Sequence, residues 1–204
     1  AALPPFNVGN TVMGYGLGLA SSAGLAPNFH KRVISIMGDG GFWHNGLTSG
    51  VAAAQANGND AVLLVVKNGY TSATGWQLLP SSLRDRKGNK RDMSIEKVLR
   101  GFGVRWLKTV RTYSIDRMVK TLRKAMTTAE GGLKVIIADG ECQLARQRRI
   151  KPEVAKRLKD GKRDVRSRFG VDEDVCTGDH SCIRLSGCPS LTIKPSSDPL
   201  RTDP

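Results

Sequence analysis

Two polar residues that can bind a hard metal ion stand directly after two apolar segments of this sequence. Asp39 lies in the glycine-rich segment 38–41 after the apolar run 33–37, and Asn68 follows the apolar run 61–67. Carboxylate and amide oxygens suit Mg²⁺, which needs near-octahedral oxygen coordination and is commonly shared with phosphate oxygens. Glycines let backbone N–H groups approach a diphosphate, and a following helix adds its dipole. The Gly-Asp-Gly segment alone would favour an Asp that merely caps a helix, but the Asn after the next run favours a metal site.

The order Gly-Asp-Gly, a spacer of a few tens of residues and then Asn resembles the diphosphate-binding motif of thiamine diphosphate enzymes. That resemblance implies a third Mg²⁺ ligand, the backbone carbonyl of Tyr70. The glycine-rich stretch 9–25 is expected to form a closely packed helix, in which Met13 and Tyr15 are either cofactor neighbours or core residues. The expected cofactor-binding residues are Met13, Gly38, Asp39, Gly40, Gly41, Asn68, Tyr70 and Thr71.

Residues around this motif resemble a narrower family, the 2-oxoacid:ferredoxin oxidoreductases, and within it the indolepyruvate enzymes. The segment 42–44 reads Phe-Trp-His, and 74–77 reads Thr-Gly-Trp-Gln. Segments 140–144 and 148–152 and the cysteine-rich C-terminal part also resemble that family, in the same order. The resemblance implies that His44, Thr74 and Gln77 lie near the thiazolium or the substrate.

The periodicity of the sequence predicts strands that alternate with helices, which is typical of a parallel sheet covered on both faces. Ser94 and Ser114 are expected to cap two of the helices. The predicted strands are 33–37, 61–67, 104–108 and 135–138, and the predicted helices are 46–57, 95–102, 115–129 and 153–160, with a loop at 78–93. The fold class is therefore α/β. The resemblance makes it the three-layer α/β/α thiamine diphosphate-binding fold, with ligands at the carboxyl ends of the strands.

Three parts of the chain differ in composition. We expect a thiamine diphosphate- and Mg²⁺-binding domain at 1–145 and a basic linker with one exposed helix at 146–169. A partial, irregular, ferredoxin-like module is expected at 170–204. With 204 residues the chain can form one good core and a small appendage.

The cysteine-rich segment contains Cys176, Cys182 and Cys188, the last followed by proline. This resembles half of a bacterial-type ferredoxin, in which Asp179 takes the place of the second cysteine. The resemblance implies a 4Fe–4S or 3Fe–4S cluster bound by Cys176, Asp179, Cys182 and Cys188, with His180 as an alternative ligand. The spacing is not that of a zinc finger, and disulfides are not expected without a secretory signal. Cys142 stands apart, either as a buried thiol or as an active-site residue.

The net charge of +14 is concentrated in one region, since residues 84–169 hold 26 of the 32 Lys and Arg residues. No nucleic-acid recognition motif accompanies these residues, so nucleic-acid binding is not expected. They are interpreted as solvated helix faces and a linker, with docking of an acidic ferredoxin or of anionic CoA as a secondary hypothesis. The sequence has no apolar stretch long enough to span a membrane and no signal peptide. We expect an internal part of a longer cytoplasmic polypeptide.

The resemblance implies oxidative decarboxylation of an aryl 2-oxo acid such as indolepyruvate, with CoA as acyl acceptor and ferredoxin as electron acceptor. The residue that activates the aminopyrimidine is expected on a separate pyrimidine-binding domain, so this chain should be inactive alone. A homo-oligomer is expected. The alternatives are a non-oxidative thiamine diphosphate decarboxylase or synthase and a non-catalytic electron-transfer subunit. The cysteines disfavour the first alternative and the metal motif disfavours the second.

Overall fold

The structure is a computed structural model that describes residues 7, 9, 14–82, 84–90, 93–162, 171–172 and 174–185, without the side chains of 181 and 182. The chain divides into two compact units, Ala1–Glu153 and Val154–Pro204. The candidate metal site belongs to the first unit. Met13 and Cys188 lie outside the described residues.

A four-stranded parallel sheet forms the centre of the first unit. The strands in chain order are β1 (Ile34–Gly38), β2 (Val62–Lys67), β3 (Tyr70–Thr71), β4 (Gln77–Leu78), β5 (Trp106–Arg111) and β6 (Lys134–Asp139). The sheet order is β1-β2-β6-β5, and β3 and β4 form a separate antiparallel hairpin. Each long strand coincides with a predicted apolar run to within three residues, because a buried parallel strand needs apolar side chains on both faces.

Helices connect the strands of the sheet. They are α1 (Gly18–Leu25), α3 (Ile95–Gly101), α4 (Ile115–Thr127), α5 (Gln143–Lys159) and, in the second unit, α6 (Ser181–Arg184). A continuous helical segment between β1 and β2, here α2, contains an α-helical turn at Asp39–Gly41, a π-helical stretch at Phe42–Ala52 and an α-helical turn at Ala53–Ala56. A short 3₁₀ turn, Ala26–Asn28, follows α1.

Two groups of buried side chains pack on opposite faces of the sheet. On one face, Leu19, Phe42 and Ile95 from α1, α2 and α3 belong to the larger group. On the other face, Ala125 of α4 packs with Val62, Trp106 and Ile136 of the strands. The predicted coverage of both faces is therefore wrong at the edge strand β1, where Ile34 and Ile36 are exposed because α4 packs over the other three strands.

Four helix predictions need correction. Of the predicted helix 9–25, the described residues 14–17 are not helical and α1 begins at Gly18, because Gly16 has a φ of +78° that a right-handed helix excludes. Segment α2 begins at Asp39 rather than at residue 46, although glycine has a low helix propensity. A Cβ on Gly41 would lie only 3.3 Å from the Cα of Gly16, so the close packing of this turn needs glycine there. Helix α5 begins at Gln143, ten residues before the predicted helix, and includes Pro152. Ser94 caps α3 as predicted, by accepting from the N–H of Lys97, but the Ser114 side chain makes no capping hydrogen bond.

Candidate metal- and diphosphate-binding site

The Asp39 carboxylate is the centre of the candidate site. It is almost completely buried, directly after β1 and in the first turn of α2. Its Oδ1 accepts from the backbone N–H of Gly40 at 3.0 Å, and its Oδ2 accepts from those of Asn68 at 2.9 Å and Gly69 at 2.7 Å. Because these donors follow β1 and β2, which are neighbours in the sheet, the carboxylate joins two adjacent strand ends.

No described cationic side chain forms an ion pair with Asp39. Lys67, the residue before Asn68, donates to Glu96 at 2.9 Å and lies 3.8 Å from Asp139. Burial raises the pKa of Asp39, and the backbone hydrogen bonds from Asn68, Gly69 and Gly40 offset this only in part. Since buried charges in proteins are paired or coordinate metals, this carboxylate suits a bound cation.

The loop after β2 depends on a glycine. Gly69 has a φ of +84°, a left-handed conformation that L-residues rarely adopt. In this conformation the N–H groups of Asn68 and Gly69 both reach Oδ2 of Asp39. The loop is fixed from behind by Ser82, which donates to the Gly69 carbonyl at 2.6 Å and accepts from the N–H of Leu79 at 2.8 Å. Nothing in the sequence pointed to Ser82.

The two ends of the Asn68 side-chain amide have different partners. Its Oδ1 accepts from the backbone N–H of Tyr70 at 3.0 Å, and its Nδ2 donates to the Ser72 hydroxyl at 2.9 Å. The Ser72 oxygen in turn lies 3.4 Å from Sγ of Cys142. Sequence reasoning left Cys142 as either a buried thiol or an active-site residue, and it did not identify Ser72.

At the N-terminus of α2, Gly40 has no side chain to cover the first helical turn. A Cβ at this position would overlap the Tyr15 hydroxyl and would come within 2.7 Å of Oγ1 of Thr71. The absence of a side chain thus lets two hydroxyl groups lie against the first helical turn. Anions bind readily at such a terminus, because free N–H groups and the helix dipole both favour negative charge. Thr71 and Tyr15 are therefore brought to the predicted diphosphate position.

The three residues expected near the thiazolium or substrate lie further along the same segments. His44 is exposed on α2, with its ring 5.4 Å from that of Tyr15. Thr74 and Gln77 are exposed in the β3–β4 hairpin and bind each other, Oγ1 of Thr74 donating to Oε1 of Gln77 at 2.9 Å. Their predicted roles at the substrate stay predictions.

Aromatic side chains surround the hairpin. Trp76 has a φ of +71°, which is strained for a bulky residue. Its ring lies 5.2 Å from that of Tyr70, and the Arg148 guanidinium lies 4.9 Å from its ring centre. Trp43 of α2 donates from Nε1 to the Ser81 hydroxyl at 2.8 Å. These contacts hold the segment after Asn68 against α2 and α5.

A cleft of about 350 Å³ runs along the edge strand β1 between that strand and α1. It contacts Gly38 and Gly41 of the glycine-rich turn, but Asp39, Asn68 and Tyr70 are not among its lining residues. The cleft therefore adjoins the candidate metal site without including its oxygen ligands.

The predicted iron–sulfur ligands belong to the second unit. Cys176 is exposed and not disulfide-bonded. Asp179 precedes His180, whose buried Nε2 has no hydrogen-bond partner. Cys182 lies in α6 with its side chain undescribed. Within the described part of the chain, no three or more His, Cys, Asp or Glu residues form a metal-binding group. The cluster stays a prediction.

Among the described helices, none combines the length and the apolar character that crossing a membrane requires.

The oxygen ligands fit a Mg²⁺ ion. Asp39 offers a buried carboxylate without a cationic partner, and Asn68 offers an amide oxygen from the neighbouring strand end. A site of this kind uses few carboxylates, because Mg²⁺ is commonly bound by one or two of them together with phosphate oxygens. The arrangement can therefore hold a Mg²⁺–diphosphate pair at the N-terminus of α2.

Comparisons with known proteins agree with this chemistry. The chain is 27% identical over 221 residues to the indolepyruvate oxidoreductase subunit IorA of Thermococcus kodakarensis, covering 99% of this chain and 32% of the relative. The same subunit of Methanothermobacter thermautotrophicus is 27% identical over 203 residues, covering 97% of this chain and 30% of the relative. The chain thus spans about a third of the length of these relatives. The predicted resemblance is confirmed.

A solved structure and a family model also match part of the chain. A 2-oxoglutarate:ferredoxin oxidoreductase from Magnetococcus marinus, solved with 2-oxoglutarate, coenzyme A and succinyl-CoA, matches with a TM-score of 0.55. It is 16% identical and covers 63% of this chain and 46% of the solved one, which supports the fold alone. The model of the thiamine pyrophosphate enzyme C-terminal TPP-binding domain matches residues 4–138. The chain therefore belongs to the thiamine pyrophosphate enzymes and contains their C-terminal TPP-binding domain.

Proposed function

We propose that this chain holds Mg²⁺ with Asp39, Asn68 and the Tyr70 carbonyl, and through it the diphosphate of thiamine diphosphate. The observation that carries the proposal is the buried Asp39 carboxylate, which three backbone N–H groups hold and no described cation neutralises. Thr71, Gly40 and the N-terminus of α2 would contact the diphosphate oxygens.

The residues of this chain have positioning and electrostatic roles. Asp39 neutralises part of the cation's charge, and its own hydrogen bonds keep it in one orientation. Gly40 and Gly41 admit the cofactor, and the α2 dipole stabilises its negative charge. When bound, thiamine diphosphate supplies the electron sink for decarboxylation of a 2-oxo acid. We place His44, Thr74 and Gln77 on the substrate side as candidate catalytic residues.

The complete reaction is proposed from the resemblance and from the names of the relatives. An aryl 2-oxo acid such as indolepyruvate loses CO₂ and two electrons, and its acyl group forms a thioester with CoA. Two molecules of ferredoxin would accept the two electrons, and iron–sulfur clusters would supply the one-electron transfer between them and the active site. We propose that the reaction needs a pyrimidine-binding domain and the other parts of the parent protein, and that it takes place in a cytoplasmic homo-oligomer.

One cluster is proposed to use Cys176, Asp179, Cys182 and Cys188. A carboxylate is a harder ligand than a thiolate, so the Asp179 corner should release iron readily and give three-iron and four-iron forms. Asp179→Cys in the intact protein should shift anaerobic samples toward the four-iron form in electron paramagnetic resonance. An unchanged spectrum and iron content would show that Asp179 is not a ligand.

The experiment for the central proposal measures thiamine diphosphate binding and indolepyruvate-dependent dye reduction in the intact protein. With Mg²⁺ and CoA, the wild type should bind the cofactor and reduce a viologen dye anaerobically. Asp39→Asn should lose both, whereas Asp116→Asn, which removes an exposed carboxylate from α4, should lose neither. Decarboxylation without dye reduction would support a non-oxidative enzyme, and no cofactor binding would contradict the proposal.

A further inference from the structure

The side-chain amide of Asn68 poses a problem of orientation. Its oxygen and its NH₂ group have nearly the same shape, so only their neighbours decide which end faces a given direction. A cation at the proposed site needs the oxygen, since the NH₂ group is a donor and would repel it. The environment of Nδ2 is therefore as important as the ligand itself.

Ser72 contacts that end of the amide, and Cys142 in turn contacts Ser72. Nδ2 can only donate, so the Ser72 oxygen, 2.9 Å away, must accept. The remaining Ser72 proton is then free to point at Sγ of Cys142, 3.4 Å away. At the other end, Oδ1 accepts from the Tyr70 N–H at 3.0 Å and keeps a second lone pair. Each hydrogen bond in this series runs in one direction, from Asn68 through Ser72 to Cys142.

Cys142 is itself held in place. It is buried, and its carbonyl accepts from the N–H of Arg146 at 2.9 Å, so it precedes the first turn of α5. Burial raises the pKa of its thiol, but hydrogen bonds from Ser72 and from the Ala145 and Leu144 N–H groups more than offset this and lower it.

We infer that Ser72 and Cys142 are positioning residues that fix the Asn68 amide, so that it offers its oxygen to the cation of the site. The inference rests on the proposed function. Residues that orient metal ligands typically change affinity when removed, even though they do not touch the metal. Register explains the contact: Lys67 of β2 is paired with Asp139 of β6, so the segments after these strands emerge side by side.

The test titrates Mg²⁺ at fixed thiamine diphosphate in the intact protein and records cofactor binding by calorimetry. Ser72→Ala should raise the Mg²⁺ concentration for half-maximal binding about 10- to 100-fold. Ser72→Thr, which keeps the hydroxyl, should restore affinity to near that of the wild type. Thr121→Ala removes an exposed hydroxyl that donates to the Arg117 carbonyl on α4, and it should change nothing.

The role of Cys142 is tested by a double-mutant cycle. Cys142→Ala should weaken Mg²⁺ binding roughly 2- to 10-fold, as expected for one lost hydrogen bond. Because Cys142 acts through Ser72, the same substitution should have no further effect in a Ser72→Ala background. Cys142→Ser should retain affinity, since its hydroxyl can accept from Ser72 and cap α5. If Cys142→Ala fails to fold, the Mg²⁺ affinities of Cys142→Ser and of the two Ser72 variants test the inference instead.

The outcomes separate the inference from the function. If the wild type does not bind thiamine diphosphate with Mg²⁺, the proposed function fails. If the wild type binds and Ser72→Ala binds equally well, only the inference fails. An equal loss in Ser72→Ala and Ser72→Thr, or an effect of Cys142→Ala that persists without Ser72, would also overturn it.

Discussion

Asp39 and Asp60 lie at opposite ends of the same parallel sheet, and their surroundings differ in one respect. Asp60 precedes β2, and its Oδ1 accepts from Nε of Arg32 at 2.8 Å and from Nζ of the buried Lys134. Asp39 follows β1 and accepts only from backbone N–H groups among its described partners. Burial acts to raise both pKa values. The pKa of Asp60 is nevertheless lowered by its two cationic partners, whereas that of Asp39 stays raised.

The difference separates a structural end of the sheet from the end at which we propose the metal site. Arg32 also donates to the carbonyls of Ala125 at 3.2 Å and Met126 at 3.0 Å, so the Asp60 cluster ties the end of α4 to the sheet. Each charged side chain in that cluster lies against one of opposite sign. At the other end the described residues supply a negative charge and no matching cation, which is the expected state of a site that binds one from solution.

The largest expected effect is that of Asp39→Ala on ligand binding. Loss of a residue that only orients a metal ligand commonly weakens metal affinity 10- to 100-fold, so loss of the proposed ligand itself should weaken it more than about 100-fold. The increase in melting temperature that Mg²⁺ and thiamine diphosphate give the wild type should disappear. Asp60→Ala should keep that increase. If Mg²⁺ and thiamine diphosphate still raise the melting temperature of Asp39→Ala, the two ends of the sheet do not differ in metal binding as proposed.

Asp60→Ala should lower the free energy of unfolding of the metal-free protein by about 1–3 kcal/mol, because it leaves the buried Lys134 with only the Gly132 carbonyl at 2.8 Å. Urea denaturation measures this. Combining it with Lys134→Met should recover part of the loss, since an apolar side chain carries no unpaired charge. If the double variant is less stable than Asp60→Ala, the unpaired charge of Lys134 is not the cause of the instability.

Gly58 and Gly69 offer a matched pair of left-handed glycines, one at each end of the sheet. Their φ values are +64° and +84°, and a Cβ at either would meet no atom within 4 Å. Alanine at each should cost roughly 1–2 kcal/mol of stability through backbone strain alone. Only Gly69→Ala should also weaken cofactor binding in calorimetry, because the Gly69 N–H holds Asp39. Equal cofactor affinity in the two variants would contradict the assigned role of this loop.

The smallest effect is on the pH dependence of stability. Because the pKa of Asp60 is lowered, its contribution is complete above the usual value of 3.8 and is lost as pH falls through the folded-state value. The difference in unfolding free energy between wild type and Asp60→Asn should therefore shrink with falling pH. For Asp39 the raised pKa reverses the sign, so its ionisation should disfavour the metal-free fold above 3.8. If the unfolding free energy depends on pH in the same way at Asp39 and at Asp60, the proposed difference between the two carboxylates is wrong.

Much of the fold follows from local sequence. Four apolar runs became the four long strands, since a strand between two helical layers needs apolar residues throughout. The pairing of Asp39 with Asn68 also follows, because both residues come after strands that are parallel and adjacent. Segment α2 was predicted too short, because close glycine contacts that propensity cannot show allow it to begin at Asp39.

Contacts between segments that are distant in the chain could not be predicted from the sequence. Ser72 and Cys142 are 70 residues apart, and Ser82 reaches Gly69 from a loop of no recognisable motif. The sheet order β1-β2-β6-β5 brings the first two together, and that order depends on how helices pack over the strands.

The sequence by itself determined that a carboxylate and an amide follow two apolar strands, because residue type and spacing are local properties. The cofactor class came from the resemblance of this motif to that of thiamine diphosphate enzymes. Only the tertiary structure decided that Asp39 has no described cationic partner while Asp60 has two, and which residues orient Asn68. Charge balance and hydrogen-bond direction depend on neighbours that chain folding, and not chain order, brings together.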